Sequence, residues 1–152
     1  MQVFQQWLNR LASEVNLEEP LVLDDKHQCF LMFDETLLVT IELNMADNVF
    51  SFKASLGNVN EWQIKRVYPR LLEANLQWRE THGATLGLQQ FSDKVLLVQH
   101  TPLLNCDYEI FEKSLECFVN TFEYWVQHLK TLQQGGTKGN TQETAVYSNM
   151  PA

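Results

Sequence analysis

Few side chains in this sequence are placed to do chemistry. His27 and Cys29 stand two apart on an expected strand, so they share a face, as a cysteine–histidine nucleophile pair would require. The reading preferred here is a packed cysteine beside a surface histidine. The histidines at 27, 82, 100 and 128 show no HxxxH or CxxH spacing, so no zinc site is expected. Gly83-Ala84-Thr85-Leu86-Gly87 misses the spacing of a phosphate loop and precedes a strand rather than a helix. Asp24-Asp25 and Asp34-Glu35 have the composition of turns. No catalytic residue, metal or cofactor is expected, and the chain is read as not an enzyme.

The composition sets the remaining bounds. A chain of 152 residues with 45% hydrophobic residues suits one domain with a real core. Nineteen acids against eleven bases give a net charge of −8, which argues against nucleic acid as a partner. The charge is uneven: residues 1–50 hold nine acids and two bases, whereas Lys65, Arg66 and Arg70 cluster in the second half. That basic cluster is either a solvated helix face or one pole of a dipole that orients the protein toward a partner. Three cysteines without a CxxC pair fit a reducing compartment. The N-terminus lacks the pattern of a signal peptide, and no apolar run approaches the ~20 residues of a membrane span. The expectation is a soluble cytoplasmic protein without membrane insertion.

Hydrophobic periodicity then places the elements. Val3 to Val15 reads as a helix with Phe4, Leu8, Leu11 and Val15 on one stripe and Val3 and Trp7 beside it. Three strands follow, at Gln28–Phe33, Leu37–Leu43 and Val49–Leu56, joined by tight turns into an antiparallel meander. Asn58 or Asn60 is a candidate cap for the next helix, which runs to about Trp78. Pro69 either kinks that helix or starts the second of two pieces, and the second version is preferred. Gly83 breaks the helix, Ala84–Phe91 and Lys94–His100 form a hairpin about Ser92-Asp93, and Pro102 ends it. Behind Asp107, apolar residues from Tyr108 to Leu132 recur at three- and four-residue steps, predicting a long amphipathic helix. The domain is read as residues 1–134, and 135–152 as a disordered tail.

The stretch Leu71–Leu104 organises the chain. Its order is LLEANL, a glycine, LGL, an apolar strand ending in Pro102-Leu103, and then the phenylalanine-rich helix. This order resembles the Tir-chaperone family, the class I chaperones of bacterial type III secretion. The resemblance covers roughly residues 1–132 and is sharpest from Leu71 to Trp125. It implies an α+β protomer of order α-β-β-β-α-β-β-α, an antiparallel twisted sheet packed by the long C-terminal helix, and a homodimer. It also implies that the N-terminal segment of a secreted effector is held in extended form, kept soluble, and passed to the secretion ATPase. The positions that match the family pattern are Leu72, Ala74, Asn75, Leu76, Leu86, Gly87, Leu88, Pro102 and Leu103, in the region tied to dimerisation and fold. Pro69 departs from that pattern and leaves the shape of the dimer interface open. They do not identify the cargo.

The residues themselves show a surplus of apolar surface. One long helix covers one face of the sheet, leaving Phe30, Met32, Leu38 and Val49 on the other, with Val3 and Trp7 on the first helix also unassigned. Phe30, Met32, Leu38 and Val49 either pack against the first helix or, with Val3 and Trp7, form an exposed patch that holds the effector. Leu72, Leu76, Trp78, Leu86 and Leu88 form a second surplus, read either as a two-fold interface or as buried core. Tyr147 in the tail is read as solvated, with partner contact or modification as the other option. A small-molecule or enzymatic α/β domain and an adaptor for a folded partner are the alternative functions. The first would need convergent polar groups that the sequence does not show.

Overall fold

A computed structural model describes residues 1–135. Helix α1 (Gln2–Glu14) leads into β1 (Gln28–Phe33), β2 (Leu37–Asn44) and β3 (Val49–Asn58). A 3-10 turn, Glu61–Gln63, precedes α2 (Ile64–Asn75), and another, Leu76–Trp78, follows it. The hairpin β4 (Thr85–Leu88) and β5 (Lys94–Pro102) ends at α3 (Tyr108–Gln134). The strands make one antiparallel sheet of order β1-β2-β3-β5-β4, so β1 and β4 are its edges. The expected element order and α+β class are the observed ones, with most boundaries within two residues of those expected.

Alternation decides which face is buried. Cys29, Leu31, Leu37, Val39, Ile41, Leu43, Phe50, Phe52, Ala54, Leu56, Val95 and Leu97 turn inward beneath α3. Along α3, Phe111, Leu115, Phe118, Phe122, Trp125 and Leu129 form the seam that meets them. Phe111 packs at ring-centroid distances of 5.5 Å from both Phe4 and Phe50, and Phe118 at 5.5 Å from Phe52. Such aromatic pairs contribute about 0.5–1.5 kcal/mol each beyond their burial. The Asp107 side chain caps α3 by accepting from the Ile110 N–H at 2.9 Å.

The first helix decides between the two readings of the outer face. It lies on the α3 side of the sheet, with Phe4, Leu8 and Leu11 in the same core, and it does not cover the opposite face. Trp7 is correspondingly partnered: its ring sits 5.7 Å from Phe4 and 5.8 Å from Phe111. A helix has only one apolar stripe, and the aromatic cluster at Phe111 offered the larger area to bury it.

Pro69 does not divide α2, which runs unbroken through it. The break comes later, where Gln77 and Trp78 adopt left-handed backbone conformations with φ of 64° and 53°. Strand β4 is shorter than expected because residues 89–93 form the loop, with Phe91 also left-handed at φ 56°. His27 likewise leaves the strand pattern: it closes the Asp24 turn with φ 57°, so it is not on the β1 face with Cys29. Between β1 and β2, Asp34 and Glu35 both take positive φ in a two-residue turn closed by Thr36 N–H donating to Phe33 C=O at 3.1 Å. The tail expected at 135–152 lies outside the described residues beyond Gly135.

Candidate functional site

The outward face of β1 and β2 carries an exposed apolar patch. Met32 pairs directly with Leu38, and Phe30 with Thr40, so the three apolar side chains stand side by side above the sheet. Phe30 is 54% and Met32 51% exposed. A polar border closes the patch toward Gln28, where Glu42 accepts from the Gln28 amide at 2.9 Å and from Lys53 Nζ at 2.8 Å. The Lys53 ammonium holds the Glu42 carboxyl below its ordinary pKa, against the opposing pull of burial.

The same strand presents an open backbone edge. The Leu43 N–H donates to the His27 carbonyl, which fixes the hydrogen-bonded phase of the β1–β2 ladder at the odd-numbered residues of β1. Gln28, Phe30 and Met32 therefore turn their N–H and C=O groups away from β2, toward the edge. At Gln28 that edge is already closed: Asp24 N–H donates to its carbonyl at 2.8 Å, and its N–H donates to Asp24 Oδ1 at 2.9 Å. Among the described residues the open positions are Phe30 and Met32, whose side chains form the patch with Leu38.

The opposite edge is treated differently. Asn75, at the end of α2, accepts from the Leu86 N–H with Oδ1 and donates to the Leu86 carbonyl with Nδ2, both at 2.8 Å. A side-chain amide thus imitates a neighbouring strand and blunts β4. Arg70 and Glu80 pair at 2.7 Å beneath it, and Trp125 donates to the Glu80 carbonyl at 2.8 Å, tying the loop after α2 to α3.

The six residues expected to form one patch are not brought together. Phe30, Met32 and Leu38 form it. Val49 is half-buried at the far end of the outer face, paired with Asn44 and Pro102. Val3 and Trp7 lie on the helix side, where they line a separate groove of about 340 Å³ with Phe4, Leu103 and Cys106. In the second group, Leu72, Leu76, Trp78 and Leu88 are exposed, Leu76 at 73%. Leu86 is not: at 3% exposure it belongs to the core, because β4 turns it inward opposite Leu97. Two residues that periodicity did not flag are fully in solvent, Trp62 at 90% and Phe91 at 99%. Both sit on non-repeating backbone, a 3-10 turn and a hairpin loop, where no helical or strand period could single them out.

For catalysis the geometry offers little. Cys29 is buried, and burial first, with Asp24 second, pushes its thiol up to about 11. Among the described residues no group of three or more His, Cys, Asp or Glu side chains is placed to hold a metal ion. No described helix is long and apolar enough to cross a membrane.

Residues 6–126 match the Tir chaperone protein (CesT) family. The chain belongs to that family. It is therefore a type III secretion effector chaperone in function class. Relatives agree in length and fold. Protein CPj0713/CpB0740 of Chlamydia pneumoniae is 27% identical over 128 residues, covering 84% of this chain and 96% of that protein. The chaperone fold recurs in the ExsC–ExsE complex, with a TM-score of 0.70 at 22% identity over 83% of this chain and 92% of the other. It recurs again in the HopA1–SchA chaperone–effector complex, with a TM-score of 0.68 at 18% identity, covering 82% and 94%.

Proposed function

We propose that this Tir-family chaperone holds an extended N-terminal segment of a secreted effector along the open edge of β1, in the bacterial cytoplasm and without catalysis. The observation that carries this reading is the coincidence at Phe30 and Met32 of free main-chain groups with exposed apolar side chains. Strand addition draws affinity from the former and sequence preference from the latter. An incoming strand there would meet an aromatic and a flexible thioether side chain, a surface that tolerates varied partners. Acidic residues nearby, Asp24, Asp25, Asp34 and Glu35, keep such a surface from pairing with itself.

Leu72, Leu76, Trp78 and Leu88 form the proposed two-fold interface, with Leu86 supporting them from the core. Leu72 on α2 and Leu76 at the turn that follows it are exposed, whereas Val67, Leu71 and Ala74 take the buried face of α2, so the two exposed leucines can meet a second copy without disturbing the protomer. A dimer offers the cargo two β1 edges, and the larger area offsets the ordering of a disordered chain.

The test is the double substitution Phe30→Asp, Met32→Asp, mixed with the first hundred or so residues of an effector encoded in the same genome. Each side chain is half exposed, leaving about 100 Å² apiece to bury, or about 2.5 kcal/mol at ~25 cal/mol per Å². Loss of binding by at least about a hundredfold, with an unchanged melting curve, is expected. Unimpaired binding would refute the reading. An unfolded variant would show instead that the patch is core, and single Phe30→Ser or Met32→Ser variants would then locate the contact.

A further inference from the structure

Two aromatic side chains stand in solvent at one end of the sheet. Trp62 and Phe91 are the most exposed of the large hydrophobic side chains among the described residues. Trp62 lies on the turn that follows β3, and Phe91 on the loop between β4 and β5. Asn58 pairs with Lys94 across β3 and β5, so both segments leave the sheet at the same place. Their supports are fixed. The Val59 N–H donates to the Asp93 carbonyl at 2.9 Å, and the Tyr68 hydroxyl donates to Asp93 Oδ1 at 2.8 Å, which ties α2 to the loop. The Asn60 N–H donates to Gln133 Oε1 at 2.8 Å, joining the turn to the end of α3. Aromatic side chains on so ordered a backbone make good anchors, because less conformational freedom is lost when they dock.

Cations flank the pair. Lys65 and Arg66 are exposed and follow Trp62 by three and four residues, within one helical turn of it. Lys94 opens β5 three residues after Phe91. Among the described residues none of these three is in an ion pair, whereas Arg10, Lys53 and Arg70 are. Of the neighbouring acids, Asp93 is engaged by Tyr68 and only Glu61 adjoins Trp62. On a chain of net charge −8 this basic spot attracts acidic groups that the rest of the surface repels. Its charge also argues against a second copy, since a two-fold contact here would set Lys65, Arg66 and Lys94 against their own equivalents. The same net charge disfavours an anionic membrane. Ten residues, roughly 15 Å of helix, separate Trp62 from Leu72 of the proposed two-fold interface.

We propose that Trp62 and Phe91, with Lys65, Arg66 and Lys94, dock an acidic amphipathic helix of a protein other than the effector. The aromatic rings take the apolar stripe of that helix, and the cations pair with its carboxylates. A strand added to β1 extends the sheet away from β3 and β5, so effector and helix bind at once. A loaded chaperone thus presents this pole to the next protein it meets. The site goes beyond the effector reading and does not depend on it.

Fluorescence anisotropy of a labelled peptide, three repeats of Leu-Glu-Glu-Leu-Leu-Glu-Glu, titrated with the full-length protein, tests the site. A counterpart with lysine at each glutamate is the control. The acidic peptide is expected to bind and the lysine peptide not to. Trp62→Ser, Phe91→Ser should weaken that binding at least about thirtyfold, the loss typical of an anchoring aromatic residue, and Lys65→Glu, Arg66→Glu should do the same. Both double variants should keep the parent's mass and melting curve, because all four side chains are exposed. Failure of the acidic peptide to bind, equal binding of the two peptides, or binding that survives either double variant would overturn the proposal. So would loss of peptide binding in Phe30→Asp, Met32→Asp, which would place the peptide on the effector edge. A changed mass in Trp62→Ser, Phe91→Ser would assign the pair to contacts between copies. Sedimentation of the parent, but not of that variant, with phosphatidylserine vesicles would assign it to a membrane, and either result refutes the docking site. Effector binding is expected to persist in Trp62→Ser, Phe91→Ser, so this site and the β1 edge fail separately.

Discussion

Replacing Asn75 with alanine tests the account of the two sheet edges most directly. The Asn75 amide makes two partly buried 2.8 Å hydrogen bonds to the main chain of one residue, Leu86. Each bond contributes about 1 kcal/mol net, and each Leu86 group left unpartnered in a partly buried site costs about 1 kcal/mol more. The expected loss is about 2–4 kcal/mol, a fall in Tm of roughly 6–15 °C for a domain of this size. Urea unfolding followed by far-UV circular dichroism measures it, and the transition should move to lower midpoint with unchanged slope. Asn75→Asp adds a sign. Its carboxylate still accepts from the Leu86 N–H but faces the Leu86 carbonyl without a proton to donate. It should therefore match the alanine variant at neutral pH and recover stability in acid, as protonation restores the missing donor. A midpoint for Asn75→Ala within about 0.5 kcal/mol of the parent would show that water replaces the amide freely and that β4 needs no such clamp.

Three further outcomes follow from the same geometry. Leu76→Glu should reduce the mass in light scattering from twice to once 17.7 kDa with the fold retained, while Leu86→Glu should unfold the protomer instead. Because the Glu42 carboxyl is held below its ordinary pKa by Lys53, its contribution to stability is complete above the unfolded value and is lost as the pH falls through the lower folded one. Glu42→Gln should therefore destabilise at pH 7 and flatten that acid limb in denaturant titrations followed from pH 7 to pH 3. A thiol reagent at pH 8 should modify Cys106 and Cys117 first and leave Cys29 untouched until the protein unfolds, since burial holds that thiol near 11. Prompt labelling of Cys29 in the folded protein would contradict its place in the core.

What the sequence by itself determined was everything that a local period can encode. Alternation in Leu37–Leu43 and Val49–Leu56 marked the strands and their buried faces, and the three-and-four spacing from Tyr108 to Leu132 marked α3 with Asp107 as its cap. The ordered stretch around LLEANL and LGL carried the family, because it combines helix, break and hairpin within one contiguous segment. Tertiary structure decided whatever depended on competition between distant surfaces. It alone put α1 on the α3 side, because Phe4 and Trp7 find Phe111 there, and so left Phe30 and Met32 uncovered. It alone gave Leu86 to the core and Leu88 to the surface, although both share one face of a four-residue strand. The amide of Asn75 reaches Leu86 eleven residues away, and Asp24 closes β1 only as far as Gln28. A period records which way a side chain points, whereas an open edge is defined by which neighbours the folded chain places beside it.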